Sequence, residues 1–213
     1  MSDIILYGDP RSTYFRTARI AAEEKGVSYD MVAKDAAGLD YDRVHPFGKM
    51  PGLAHGDVTV YETAGIVTYI DEAFDGPNLV PTDPREKARA WQWVSAVNDY
   101  YYPTIIKGYV LQYIFPSGAD GKPDMAAIQA ALPDVKQRIM VLDRALAGRD
   151  YLAGDQFSIA DMFICPIMTY LSKMPEASEI FAECQNIGRA GAKVTERPSF
   201  TATLPPMPAE AAE

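Results

Sequence analysis

The sequence predicts a two-part molecule of combined class, α/β plus all-α, with the α/β part first. Three observations carry this. Strand and helix signals alternate over the first 77 residues. The stretch "DGPNLVPTDPRE" then places three prolines in a dozen residues, a composition that breaks regular structure. Beyond it, apolar residues recur almost only at helical spacing. The expected boundaries are an α/β domain at 1–77, a linker at 78–86, a helical domain at 87–204 and a disordered tail at 205–213.

Each element has its own signal. "DIILYGD" is a short apolar run that ends in turn residues and reads as a buried strand. Phe15, Ala18 and Ala22 keep helical spacing up to Lys25, and Gly26 is the stop. "VSYDMVA" reads as a second strand, and "PGLAHGDVTVYE" as a hairpin around Gly56-Asp57. Ile66, Val67, Ile70 and Phe74 form one stripe of a helix ending at Gly76. From Lys87 to Phe115 the pattern is helical, with Pro103 expected to kink it. Met125 to Leu146 is a further helix, with a second irregularity expected at Pro133. In "FSIADMF", Ser158 and Asp161 form a close variant of the capping box.

Composition narrows the function. With 48% hydrophobic and 23% charged residues the chain is ordinary for a globular protein. A net charge of −9 disfavours nucleic acid and anionic membrane surfaces, which call for a basic stripe. No apolar run reaches the roughly 20 residues of a membrane span, and no basic region precedes an N-terminal apolar stretch. The only cysteines, Cys165 and Cys184, form no disulfide framework and fit a reducing cytoplasm. Two histidines without a Cys/His cluster predict no metal site. P-loop and dinucleotide fingerprints are absent.

"LYGDPRS" leading into a helix, "EEKGVSY", "HPFGKMPGL", "YETAGIVTYI" and "YLAGDQFSIAD" occur in one order over nearly the whole chain. Together they resemble the cytosolic glutathione S-transferase superfamily, with a serine-type, theta- or phi-like N-terminal motif. The resemblance implies a thioredoxin-like, glutathione-binding N-terminal domain, an all-helical second domain, a cytoplasmic homodimer and a role in detoxification. Glutathione would be the co-substrate and a small hydrophobic electrophile its partner.

The residues can be read against that chemistry. Glutathione must lose its thiol proton before it attacks, and a thiol of pKa near 8.5 is mostly protonated at neutral pH. Ser12, after the first strand and before the first helix, either donates to the sulfur or caps the helix; the resemblance favours the first. Thr13 and Tyr7 are the competing donors. The resemblance implies a cis bond at Met50–Pro51, with the Met50 backbone pairing with the cysteine of glutathione, in the manner of a strand added to a sheet edge. A trans proline opening an edge strand fits the letters equally well. Lys49 either reaches the glycine carboxylate or is solvated. His45 stands where the family usually has asparagine. Glu62 is implied to accept the γ-glutamyl ammonium, and Thr63 to donate to the neighbouring carboxylate at a helix start. Tyr101, Ile105 and Tyr109 share a face that either lines the electrophile pocket, with Tyr14 opposite, or is core.

The expected activity is glutathione transfer. A glutathione-dependent isomerase, dehalogenase or reductase is the enzymatic alternative. A binding or regulatory protein that keeps the fold and has lost the chemistry is the alternative of another class.

Overall fold

Four short strands form one sheet: β1 (Ile4–Tyr7), β2 (Tyr29–Val32), β3 (Gly52–His55) and β4 (Val58–Tyr61). The structure is a computed structural model that describes residues 3–206. The strand order is β2-β1-β3-β4. β1 and β2 are parallel and joined by α1 (Thr13–Lys25), whereas β3 runs antiparallel to both β1 and β4. This mixed four-stranded order is the thioredoxin-like arrangement that the resemblance implies. α2 (Thr63–Ala73) buries Ile66, Val67 and Ile70 against a core that includes Ile4, Leu6, Phe15 and Leu53.

Local chemistry sets the element ends. Gly26 closes α1 in the left-handed conformation, φ 67°, and its N–H bonds the carbonyls of Ala22 and Glu23. Gly8 has a different reason to be glycine: a Cβ there would collide with the ring of Phe15.

Two compact units divide the chain, Met1–Val80 with the segment from Thr195 onward, and Pro81–Val194. The helical region expected to run to 204 therefore differs at its end, because the chain after α7 (Gln185–Thr195) returns to the first unit. There α8 (Pro198–Ala202) packs on α1. Glu24 accepts from Arg197 and Ser199 at the start of α8. Arg19 donates to the carbonyls of Ala202 and Thr203 at its end, at 3.0 and 3.3 Å. Arg16, 1% exposed, donates to the Phe200 carbonyl at 3.1 Å and covers that ring. Guanidinium groups here satisfy carbonyls that a short helix leaves open. The expectation of disorder at 205–213 falls, from 207 on, outside the described residues.

A second cross-link lies within the first unit. Lys25 Nζ is 3.1 Å from Asp71 and donates to the Pro77 carbonyl, and Asp71 also accepts from the N–H groups of Leu79 and Val80. Both side chains are almost fully buried.

The second unit opens with α3 (Pro84–Ala96), which Asp83 caps through the N–H groups of Arg85 and Glu86. Where the sequence predicts a kink, the helix instead widens. Val97–Val110 is π-helical, with Pro103 inside it, and Leu111–Ile114 closes the run. Pro103 cannot supply the N–H that an α-turn requires, and π-type bonding carries the helix past it. Pro133 is accommodated inside α4 (Met125–Ala145) without interruption. α5 (Ile159–Leu171) is buried along most of its length, and α6 (Ala177–Ile180) follows.

The capping box at α5 forms as its spacing predicts. Asp161 accepts from the N–H of Ser158 at 3.0 Å and from its hydroxyl at 3.1 Å, and also takes the Leu152 N–H at 2.9 Å. Burial outweighs these donors and pushes the Asp161 carboxyl up to about 6. A raised folded-state value contributes stability that is complete below the unfolded value and is lost as pH rises through 6. The stability difference between wild type and Asp161→Ala should therefore grow by about 1 kcal/mol between pH 7 and pH 5. Urea titrations of both proteins at the two pH values measure it; a difference that shrinks toward pH 5 would reverse the sign.

Candidate functional site

Strand register gathers three loops. Tyr7 pairs with Gly52, and Gly52 pairs with Tyr61, so these residues form one row across the end of the sheet. Ser12 follows Tyr7, Met50 and Pro51 precede Gly52, and Glu62 and Thr63 follow Tyr61. Segments far apart in sequence thus leave the sheet at the same end.

Ser12 is the N-cap of α1 and is partly exposed, and its Oγ accepts the Phe15 N–H at 3.3 Å. The cap and donor roles do not compete, because a serine hydroxyl accepts through its lone pairs and still has one O–H to donate. No acidic residue occupies the first turn of α1, so no carboxylate there offsets the positive end of the helix. Thr13 is 6% exposed, and Tyr7 and Tyr14 are half-buried.

The Met50–Pro51 peptide is cis. Its loop is held from two sides: the Tyr41 hydroxyl donates to the Lys49 carbonyl at 2.7 Å, and the Gly48 N–H donates to His45 O at 2.8 Å. Gly52 admits the loop, since a Cβ there would collide with Val44. Lys49 is exposed.

Glu62 is the residue whose geometry the sequence does not announce. Its backbone lies at φ 65°, a region that non-glycine residues enter at a cost of about 1–3 kcal/mol and that clusters at ligand-binding positions. Its side chain is 67% exposed and makes no capping bond. Thr63, buried, begins α2, whose first N–H groups have no partner inside the helix. His45 lies near Glu62. Its ring is 1% exposed, Nε2 lies 4.0 Å from Glu62 Oε1, and Nδ1 is buried without a hydrogen-bond partner.

Tyr101, Ile105 and Tyr109 do share a face, and it is the interior of the second unit. The Tyr101 hydroxyl donates to the Arg138 carbonyl, and its ring lies 5.9 Å from Trp93. Tyr109 and Tyr113 both donate to Glu176. This is the core alternative of the sequence reading, and its physical reason is that each hydroxyl finds an acceptor inside the unit. Both cysteines are buried and neither is part of a disulfide; they lie on α5 and just before α7. Among the described residues no group of three or more His, Cys, Asp or Glu could hold a metal, and no helix is long and apolar enough to cross a membrane.

Comparison with known proteins agrees with this geometry. Residues 6–78 match the model of the glutathione S-transferase N-terminal domain, and residues 101–198 that of its C-terminal domain. Glutathione S-transferase 3 of Zea mays is 26% identical over 224 aligned positions that cover both chains completely. A stringent starvation protein A homolog of Pasteurella multocida is 27% identical, covering 95% of this chain and 91% of its own. The theta class glutathione S-transferase of Xanthomonas axonopodis pv. citri, solved with glutathione bound, is 25% identical and superimposes with a TM-score of 0.82, over 96% of this chain and 98% of its own. Both domain models match, in order, and each relative aligns along nearly its whole length: the chain belongs to the glutathione S-transferase family.

Proposed function

We propose that this protein is a glutathione transferase that activates the glutathione thiol for attack on a small hydrophobic electrophile. The observation that carries the proposal is the row Tyr7–Gly52–Tyr61, from which the three expected binding segments leave the sheet together. In this reading Ser12 donates to the sulfur and the N-terminus of α1 favours the thiolate. The Met50 backbone, beside the cis bond to Pro51, pairs with the cysteine of the tripeptide. Glu62 accepts the γ-glutamyl ammonium, Thr63 and the first N–H groups of α2 take the adjacent carboxylate, and Lys49 reaches the glycine carboxylate. Tyr14, beside Ser12, flanks the electrophile.

Glu62→Gln tests the ammonium contact. Loss of one charge-assisted interaction should weaken glutathione binding about 10- to 100-fold in calorimetry while leaving the fold intact. An unchanged affinity would remove Glu62 from the site.

Two further features belong to the proposal. Phe47, 67% exposed, meets Tyr61 edge-on at 6.1 Å, an outward aromatic pair suited to burial in a homodimer. The protein would work in the cytoplasm, in detoxification; its two buried cysteines, which form no disulfide, fit a reducing compartment. The Pasteurella relative bears a name that is not a transferase's, and it favours a second reading, a binding protein on the same fold. Turnover with a panel of aryl and alkyl electrophiles separates the two: conjugation supports transfer, and glutathione binding without turnover supports the second reading. A reductase relying on cysteine gains no support, because neither thiol lies in the unit that carries Ser12.

A further inference from the structure

We propose that Tyr41 is a positioning residue for the Met50 N–H, and that it aims this donor at the cysteinyl carbonyl of glutathione. The inference rests on the glutathione reading above and adds to it a residue that acts through the backbone rather than on the ligand.

Tyr41 opens the 3₁₀ turn Tyr41–Arg43 and ties both ends of the loop that follows. At the near end its carbonyl accepts the N–H groups of Val44 and His45, at 2.9 and 2.8 Å. At the far end its hydroxyl donates to the Lys49 carbonyl at 2.7 Å. Its ring stacks on that of buried His45, with centroids 6.5 Å apart, which holds the phenol in place between the two ends. Burial raises the Tyr41 phenol above its ordinary value of 10, so the hydroxyl keeps its proton and remains a donor at neutral pH.

The far contact matters through the peptide that it grips. The Lys49 carbonyl and the Met50 N–H belong to one planar trans unit, in which C=O and N–H point in opposite directions. A hydroxyl that holds the carbonyl on one side therefore fixes the N–H on the other. Among the described residues no acceptor takes that N–H, although Met50 is half-buried. Backbone donors shielded from water ordinarily have a partner, and the open direction here is the one facing away from Tyr41. In the strand-like pairing of the proposed site, the acceptor for this donor is the cysteinyl carbonyl of the ligand. Without the hydroxyl the Lys49–Met50 peptide is free to turn about its flanking bonds, and each binding event must order it again.

Calorimetry with two probes tests the proposal. S-methylglutathione has no thiol to titrate and presents the cysteinyl carbonyl as an amide. Its analogue with an ester in place of the Cys–Gly amide presents a weaker acceptor at the same point. Wild type should bind the ester at least about threefold more weakly. Tyr41→Phe keeps the ring against His45 and removes only the hydroxyl. The variant should bind S-methylglutathione about 5- to 10-fold more weakly, the scale of one hydrogen bond. It should lose less than about twofold on the ester, because the two changes act on one contact. The glycine N–H that the ester lacks is missing for both proteins and cancels in this comparison. A loop that was merely loosened would weaken both probes alike. An equal loss on the two probes, no loss on either, or a wild type that does not distinguish them overturns the role of Tyr41 while leaving the glutathione site standing. Absence of S-methylglutathione binding in wild type overturns the glutathione reading, and this inference with it.

Discussion

Ser12→Ala is expected to lower turnover about 100-fold, equivalent to about 2.7 kcal/mol of transition-state stabilisation, with a much smaller change in glutathione affinity. The split follows from what the hydroxyl does. In the proposed site it contributes one hydrogen bond to a sulfur that is negative only after deprotonation, so its loss would fall on the reactive form of the ligand. The ultraviolet absorbance of bound thiolate, followed against pH, should shift to higher pH in the variant. The same substitution removes the bond from the Phe15 N–H and should cost about 1 kcal/mol of stability. Stability and turnover therefore separate the two functions of one side chain. A variant that loses the 1 kcal/mol but keeps its rate would reduce Ser12 to a cap. Parallel Tyr7→Phe and Thr13→Ala variants complete the test: Thr13 is buried and Tyr7 is tied into β1, so neither should match the effect of Ser12.

Asp71→Ala should destabilise the protein by about 3–5 kcal/mol in urea unfolding of the full chain. The carboxylate is paired with Lys25, and it accepts two backbone N–H groups from residues 79 and 80. Its removal strands a buried ammonium and two donors at once, and each carries its own desolvation penalty. The double variant Lys25→Met/Asp71→Asn should recover about 2 kcal/mol or more, because it removes the unpaired charge and keeps one acceptor. A loss below about 1 kcal/mol in Asp71→Ala would show that this cross-link between α1, α2 and the chain after α2 contributes little.

The sequence by itself determined whatever depends on a few neighbouring residues. The Ser12 and Ser158 caps, the Gly26 stop, the hairpin at Gly56-Asp57 and the helical stripe of α2 are set by hydrogen bonds and side-chain spacing within about one turn. Letters in the right order therefore located the segments of the candidate site. Tertiary structure decided what those letters face. Only strand register places Tyr7, Gly52 and Tyr61 in one row, because pairing is fixed by which faces are buried across the sheet. Periodicity gave Tyr101, Ile105 and Tyr109 a common face; burial made that face a core, since its hydroxyls find acceptors on Arg138 and Glu176 from distant segments of the chain. The return of the chain to α1 depends on Arg16 and Arg19 reaching carbonyls more than 180 residues away, and no local pattern encodes such a contact. Glu62 joins the two levels: its identity is legible in the sequence, while its left-handed backbone and its approach to His45 exist only once β4, α2 and the cis-proline loop have packed together.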